Sequence, residues 1–214
     1  MPEQFLHGVE VVEIDTGPRP IRTLKSSVIG LVGTAPDADP AAFPLDTPIL
    51  VAGSLAAIAS LDITGNFAGT LPAALDGIFD QAGAMVVVVR VAEGADDADT
   101  EANVIGGVAP GTGTYTGVHA LMGAQARLGV TPRILIAPGF THRQAAGPDG
   151  PLANAVVAEL LGIAERLRAV IIADGPNTSD ADAVAFRGDW GSARVYVVDP
   201  WVLVSRNGAI VSEP

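Results

Sequence analysis

Runs of aliphatic and β-branched residues alternate with helix-like patterns along most of this chain, and together they predict an α/β fold. Apolar runs without polar alternation are typical of strands that are covered on both faces, as in parallel sheets. The predicted strands span 27–33, 48–52, 85–91, 131–137, 169–173 and 193–198. Between them, apolar residues recur at spacings of three and four, which predicts helices over 54–59, 70–82, 116–128, 151–168 and 180–188.

The order of these elements predicts a mainly parallel, doubly wound sheet flanked by helices, because strand and helix alternate from residue 27 to 200. We expect the apolar run 85–91 to be the central strand and 92–115 to be the longest irregular stretch. Near the end, Asn207-Gly208 separates two short apolar runs, which is a strong signal for a β-hairpin.

The N-terminal segment has a strand-like stretch of its own. This stretch consists of Val9, Glu10, Val11, Val12, Glu13, Ile14 and Asp15. A linker containing Gly17, Pro18 and Pro20 follows it and stops any ladder, which divides the chain into an arm with its linker at 1–20 and a body at 21–214. Such a strand either docks on its own domain or adds to the sheet of a neighbouring molecule, and the spacing alone favours docking at home.

Composition and charge narrow the classes of partner. The 214 residues include no cysteine, which excludes disulfides, thiolate metal sites and a cysteine nucleophile. The net charge of −12 repels phosphate backbones, so we expect no nucleic-acid partner. The most apolar run, 82–92, is too short to span a bilayer and contains Arg90, so we expect no membrane partner.

Glycine-rich loops do not match a nucleotide site. The segment Gly30–Pro36 follows a predicted strand but lacks the Gly-x-Gly-x-x-Gly turn and continues into proline instead of a helix. The segment Gly111–Gly117 precedes a predicted helix, but its spacing is wrong and a long loop precedes it. Loops that cap helices are the favoured interpretation, and no cofactor is predicted.

The candidate metal-binding and catalytic residues also lack the patterns that such sites require. The segment Asp97–Glu101 begins like a calcium loop, but Ala102 and Val108 stand where that loop needs glycine and glutamate, so a solvated acidic loop is favoured. His142, Asp174 and a serine at a strand end form the one triad that could be assembled, and a surface histidine is the simpler interpretation. We therefore predict no metal and no catalytic residues.

Several stretches resemble the contractile tail sheath proteins of myophages and R-type pyocins, and they occur in the family's order and spacing over most of the chain. They are Phe5–Glu13, Ser26–Pro36, Tyr115–Leu121, Pro132–Gly139, Ala173–Pro176 and Asp199–Val202.

The resemblance implies a non-enzymatic structural subunit that stacks as hexameric rings around a tail tube and contracts to drive the tube through a target envelope. It implies a subtilisin-like outer domain without a catalytic triad, in a virion tail sheath that is assembled in the cytoplasm of the host bacterium. It also implies partners: neighbouring sheath subunits, which receive Val9–Asp15 as an added strand, and the tail tube and baseplate. By the same resemblance, the chain corresponds to the N-terminal and outer-domain part of the family, without its inner domain and C-terminal arm.

The alternative from a different class is an α/β hydrolase with a non-standard site. Such a site would use the loops at 34–47, 92–115 and 138–150, with His142 as its base.

Overall fold

A six-stranded sheet forms the centre of the molecule. The computed structural model describes residues 27–53, 55–81, 83–148, 150–206 and 208–214. The strands are β1 (Ile29–Thr34), β2 (Ile49–Ala52), β3 (Met85–Val91), β4 (Gly107–Val108), β5 (Tyr115–Thr116), β6 (Ile134–Ile136), β7 (Ala146–Gly147), β8 (Gly150–Pro151), β9 (Val170–Asp174), β10 (Val195–Val198), β11 (Val202–Arg206) and β12 (Ala209–Glu213). The α-helices are α1 (Leu55–Leu61), α2 (Leu71–Gln81), α3 (Asp97–Ile105), α4 (Ala124–Leu128), α5 (Ala155–Leu167) and α6 (Asp180–Gly188), and a 3-10 helix spans Gly117–Gly123.

The strand order of the central sheet is β10-β9-β6-β1-β3-β2. Neighbouring strands run parallel, except that β2 runs antiparallel to β3. This arrangement confirms the predicted mainly parallel α/β sheet. The prediction that 85–91 is the central strand is wrong, because β3 lies next to the edge strand β2 while β6 and β1 occupy the middle.

The apolar run of β3 is explained by cover on both of its faces. Val87 and Val89 point into a core that includes α5 and the 3-10 helix, and Val86 and Val88 point into a second core under α1 and α2. All four side chains are fully buried, which stabilises the fold by about 1.5–3 kcal/mol each. An apolar run without polar alternation therefore indicates that a strand is buried on both faces, but it does not indicate where the strand lies within the sheet.

The stretch 92–115 contains a helix that the sequence analysis did not predict. Helix α3 begins after Asp96, whose side chain accepts a hydrogen bond from the Asp99 backbone N–H at 2.8 Å. Aspartates in the first turn stabilise the positive end of the helix dipole. The prediction of an irregular acidic loop is wrong here because the acidic residues that suggested a loop are capping residues.

Two further helices differ from their predicted bounds. The helix predicted over 116–128 is a 3-10 helix followed by α4, which ends as expected at Gly129 in the left-handed conformation. Helix α5 starts at Ala155 and not at 151, because Asn154 caps it by accepting from the Val157 N–H at 2.8 Å. Leu152, which was predicted to lie on the apolar stripe of this helix, precedes it and is half exposed.

The predicted C-terminal hairpin is confirmed. Strands β11 and β12 pair antiparallel, with Val204 opposite Val211, and Gly208 in the turn has a φ of 81°. The hairpin forms a sheet separate from the central one. Its apolar side chains Val202, Leu203 and Ile210 are exposed, so the body gives them little apolar cover.

Candidate functional site

Open α/β sheets bind ligands in the crevice beyond the carboxyl ends of their parallel strands. Thr34 and Thr70 form hydrogen bonds with each other beyond the ends of β1 and β6, where the strand order reverses. The Thr34 N–H donates to Thr70 Oγ1 at 3.2 Å, and the Thr70 N–H donates to the carbonyl and the hydroxyl of Thr34 at 2.9 and 3.3 Å. A crevice next to Thr70 is lined by Gly139 and by Glu213 and Pro214 at the end of the hairpin. The crevice thus brings the end of β12 against the body, and its lining combines mostly apolar groups with the hydroxyl of Thr70.

Of the one conceivable triad, His142 and Asp174 lie close together, but the hydroxyl beside them belongs to Thr141 and not to a serine. Thr141 Oγ1 donates to Asp174 Oδ2 at 2.8 Å, and the Asp174 N–H donates back to Thr141 Oγ1 at 2.8 Å. Among the described residues, His142 Nδ1 is buried and has no hydrogen-bond partner. A catalytic triad requires a hydrogen bond between nucleophile and base, and here the hydroxyl is bonded to the carboxylate instead.

Burial governs the titration of this cluster. Burial raises the pKa of Asp174 above 3.8, although hydrogen bonds from Thr141 and the Gly139 backbone oppose this shift. Burial also lowers the pKa of His142 below 6.5, although the nearby Asp174 carboxylate opposes that shift. The imidazole is therefore neutral near pH 7, with its ring centroid 4.7 Å from that of Trp201 in an edge-on contact.

The acidic segments have structural contacts of their own. Asp97 and Asp99 lie in the first turn of α3, and Asp180 and Asp182 in the first turn of α6. Within the described ranges, no group of three or more His, Cys, Asp or Glu side chains could hold a metal ion.

In the part of the chain that the structure describes, each helix is too short or too polar to cross a bilayer.

The hairpin carries exposed apolar side chains on both of its faces. Leu203 and Ile210 lie on one face and are 73% and 76% exposed, while Val202 and Val211 lie on the other face and are also exposed. Within the described part of the chain, neither strand pairs with any strand besides its hairpin partner. An isolated two-stranded hairpin is marginally stable in water, so this element is suited to being covered by another segment or another molecule.

Among the described residues, no strand pairs with the outer edge of β10 in the central sheet. Val195 is buried, whereas Tyr196 and Val198 are more than half exposed. Val184 of α6 is exposed as well, and together with Val195 and Tyr196 it lines a groove between α6 and β10. Unpaired backbone groups along an edge strand are the usual template for strand addition.

The exposed faces of the hairpin and the edge of β10 were not predicted from the sequence. The hairpin itself was predicted, but its exposure depends on its separation from the central sheet, which no local pattern encodes. For β10, the sequence Val195–Val198 is apolar throughout, so it does not indicate which of its side chains are exposed.

The predicted inter-subunit strand, Val9–Asp15, and the linker residues Gly17, Pro18 and Pro20 lie outside the described residues. Their roles, like the division into an arm at 1–20 and a body at 21–214, stay predictions.

The chain is similar to known tail sheath proteins, both in part and over nearly its whole length. Residues 26–91 match the family model for the tail sheath protein Gp18 domain III N-terminal region. A cryo-EM structure of the anti-feeding prophage helical sheath in its contracted state aligns with 98% of this chain and 50% of its own chain, at 21% identity and a TM-score of 0.48.

Three relatives match nearly the whole chain. A prophage-encoded protein of Pseudomonas aeruginosa (strain UCBPP-PA14), described as a major tail sheath protein, is 38% identical over 94% of this chain and 48% of its own length. The tail sheath protein of Escherichia phage P2 is 35% identical over 92% of this chain and 47% of its own length. The major tail sheath protein of Serratia phage KSP20 is 34% identical over 94% and 48%. The chain spans about half the length of the curated relatives it matches, and by this similarity it belongs to the contractile tail sheath protein family, as its sequence motifs predict.

Proposed function

We propose that this chain is the body of a structural subunit of a contractile tail sheath, without enzymatic activity. The complete subunit polymerises as stacked hexameric rings around a tail tube and contracts to drive the tube through the target envelope. The observation that carries this proposal is the similarity to tail sheath proteins over more than nine-tenths of the chain. As part of the same proposal, the protein belongs to the tail of a virion or of a phage-like particle and is assembled in the cytoplasm of the host bacterium.

The partners of this subunit are neighbouring copies of itself, and in the complete sheath also the tail tube and the baseplate. Neighbouring copies connect by strand addition, in which Val9–Asp15 of one subunit pairs with a sheet of another. In a strand over this segment, Glu10 shares a face with Val12 and Ile14, and Glu13 shares the other face with Val9 and Val11, so neither face is purely apolar or purely polar. This pattern supports the proposal, because an inserted strand is covered on both faces and needs no separate apolar and polar face. The segment Thr16–Pro20 then links the strand to the body.

The exposed hairpin and the open edge at β10 are consistent with a protein that is completed by assembly. Exposed apolar groups such as Leu203 and Tyr196 weaken a solitary molecule's solubility, whereas in a polymer they contribute apolar area to contacts between copies.

Deleting residues 1–20 from the complete product of the gene tests the role of the arm. We expect the deletion variant to remain folded and monomeric, because the described core is formed entirely by residues after 27. The intact product should sediment as large assemblies under the same conditions. Analytical ultracentrifugation measures both, and circular dichroism shows whether the body is folded. Assembly of the deletion variant to the same size would contradict strand donation by this segment.

A further inference from the structure

The hairpin is joined to the body through Trp201, which directly precedes β11. The indole Nε1–H donates to the Gly175 carbonyl at 2.9 Å, and the Trp201 backbone N–H donates to Asn177 Oδ1 at 3.3 Å. The ring itself lies edge-on against His142, with an angle of 73° between the ring planes. These contacts fix the direction in which the hairpin leaves the sheet.

His142 suits this position only while it is neutral. A neutral imidazole keeps one ring nitrogen as a bare acceptor, whereas an imidazolium has an N–H on both nitrogens. Nδ1 is buried, and no described residue offers it a hydrogen-bond partner. Protonation at Nδ1 would therefore bury a charged donor without an acceptor, a costly arrangement unless the ring moves.

The charged groups around the imidazole act in opposite directions. The Asp174 carboxylate, at the end of β9, favours the imidazolium, whereas the Arg143 guanidinium and burial disfavour it. Asp199 lies on the other side of the same turn, against Gly175, where its Oδ1 accepts from the Asn177 N–H at 2.7 Å. Burial is the largest of these influences, and the pKa of His142 is consequently lowered.

We propose that His142 is a proton-sensitive latch, which holds Trp201 and the root of the hairpin against the body while it is neutral and releases them when it is protonated. The proposal goes beyond the proposed sheath function, because it concerns the orientation of the hairpin in the single chain. Acidification frees the indole ring from the imidazole and lets the hairpin move relative to the sheet.

The direction of the pH dependence follows from linkage. The unfolded or released His142 titrates near 6.5, and the latched one titrates at lower pH. The latch is therefore fully present above pH 6.5 and weakens as pH falls below that value. Asp174 affects the pH dependence of stability in the opposite direction. Because its pKa is raised in the folded state, the folded state binds this proton more readily and becomes more stable on acidification. Asp174 therefore cannot account for a loosening of the hairpin at low pH.

Two measurements on the 214-residue chain test the latch. In NMR spectra, the indole N–H resonance of Trp201 should shift with the same midpoint, below 6.5, as the imidazole carbons of His142. The indole of Trp190, buried in the core, is the internal reference and should not follow this midpoint. In hydrogen exchange, corrected for the intrinsic pH dependence, hairpin amides should lose about tenfold in protection per pH unit between pH 6.5 and the lower His142 midpoint, while β3 amides keep theirs.

Variants separate the latch from other titrations. His142→Phe keeps a ring against Trp201 but cannot be protonated, so its hairpin protection should not change with pH. His119→Gln is the matched control: His119 pairs with Glu159 at 2.8 Å elsewhere in the molecule, and this variant should keep the wild-type transition. Asp174→Asn removes the group that favours the imidazolium and should move the midpoint to lower pH.

The latch is overturned if hairpin protection is equal above pH 6.5 and at the His142 midpoint, or if the transition persists in His142→Phe. Should His142→Phe not fold, the wild-type NMR titration decides by itself, because separate midpoints for His142 and the Trp201 indole would also contradict the proposal.

Discussion

The side chain of Asn154 joins the start of α5 to the loop that follows β6. Its Oδ1 accepts from the Val157 N–H, and its Nδ2 donates to the carbonyls of Phe140 and Arg143 at 2.8 and 2.6 Å. The residue is fully buried, so each of these backbone groups depends on it for a partner. A single amide thereby fixes both the helix and the loop that carries Thr141 and His142.

We expect Asn154→Ala to lower the free energy of unfolding by about 3 kcal/mol, because it removes a helix cap and leaves two carbonyls without their donor. Urea denaturation of the 214-residue chain measures this change. Asn103→Ala is the matched control: Asn103 is exposed and donates one hydrogen bond, to the Ala92 carbonyl, so its loss should cost less than about 1 kcal/mol. Equal effects of the two substitutions would contradict the role assigned to Asn154.

Residue-scale roles were only partly predictable from the sequence. That His142 and Asp174 lie near each other follows from their places at the ends of neighbouring parallel strands, β6 and β9. That the hydroxyl of Thr141 bonds Asp174, and that Trp201 packs on His142, depends on loop conformations that no spacing specifies.

At the scale of elements, the hairpin of β11 and β12 leaves most of its described side chains exposed. Its strands were predictable because Asn-Gly turns favour the twist of a two-residue hairpin. Helix α3 was not predictable from apolar spacing, since only Thr100 and Val104 of this helix are buried. Its start could have been found from Asp96 as an N-cap residue, with further acidic residues in the first turn.

We expect the double substitution Leu203→Ser and Ile210→Ser to abolish assembly of the complete gene product while changing the stability of the 214-residue chain by no more than about 0.5 kcal/mol. Both side chains are exposed in the single chain, so their loss costs little until another molecule covers them. Sedimentation measures assembly, and urea denaturation measures stability.

Ile63→Ser is the control for this pair, because Ile63 is 66% exposed but lies in the loop after α1, away from the hairpin. It should assemble like the wild type. Normal assembly of the double variant would show that this face of the hairpin is not an interface.

At the scale of the whole molecule, the alternation of elements was sufficient to predict a mainly parallel α/β sheet. The order of its strands was not, because β3 is as apolar next to the edge as it would be in the middle. Cover by helices on both faces determines which residues a strand needs, whereas connection geometry determines its neighbours.

The central claim is that this chain forms the body of a subunit that polymerises into a sheath. Electron microscopy of the complete gene product tests it most directly. The account predicts hollow, striated tubes or stacked rings of six subunits, with the hairpin lying in contacts between copies. A product that stays monomeric, folded and without rings would contradict it.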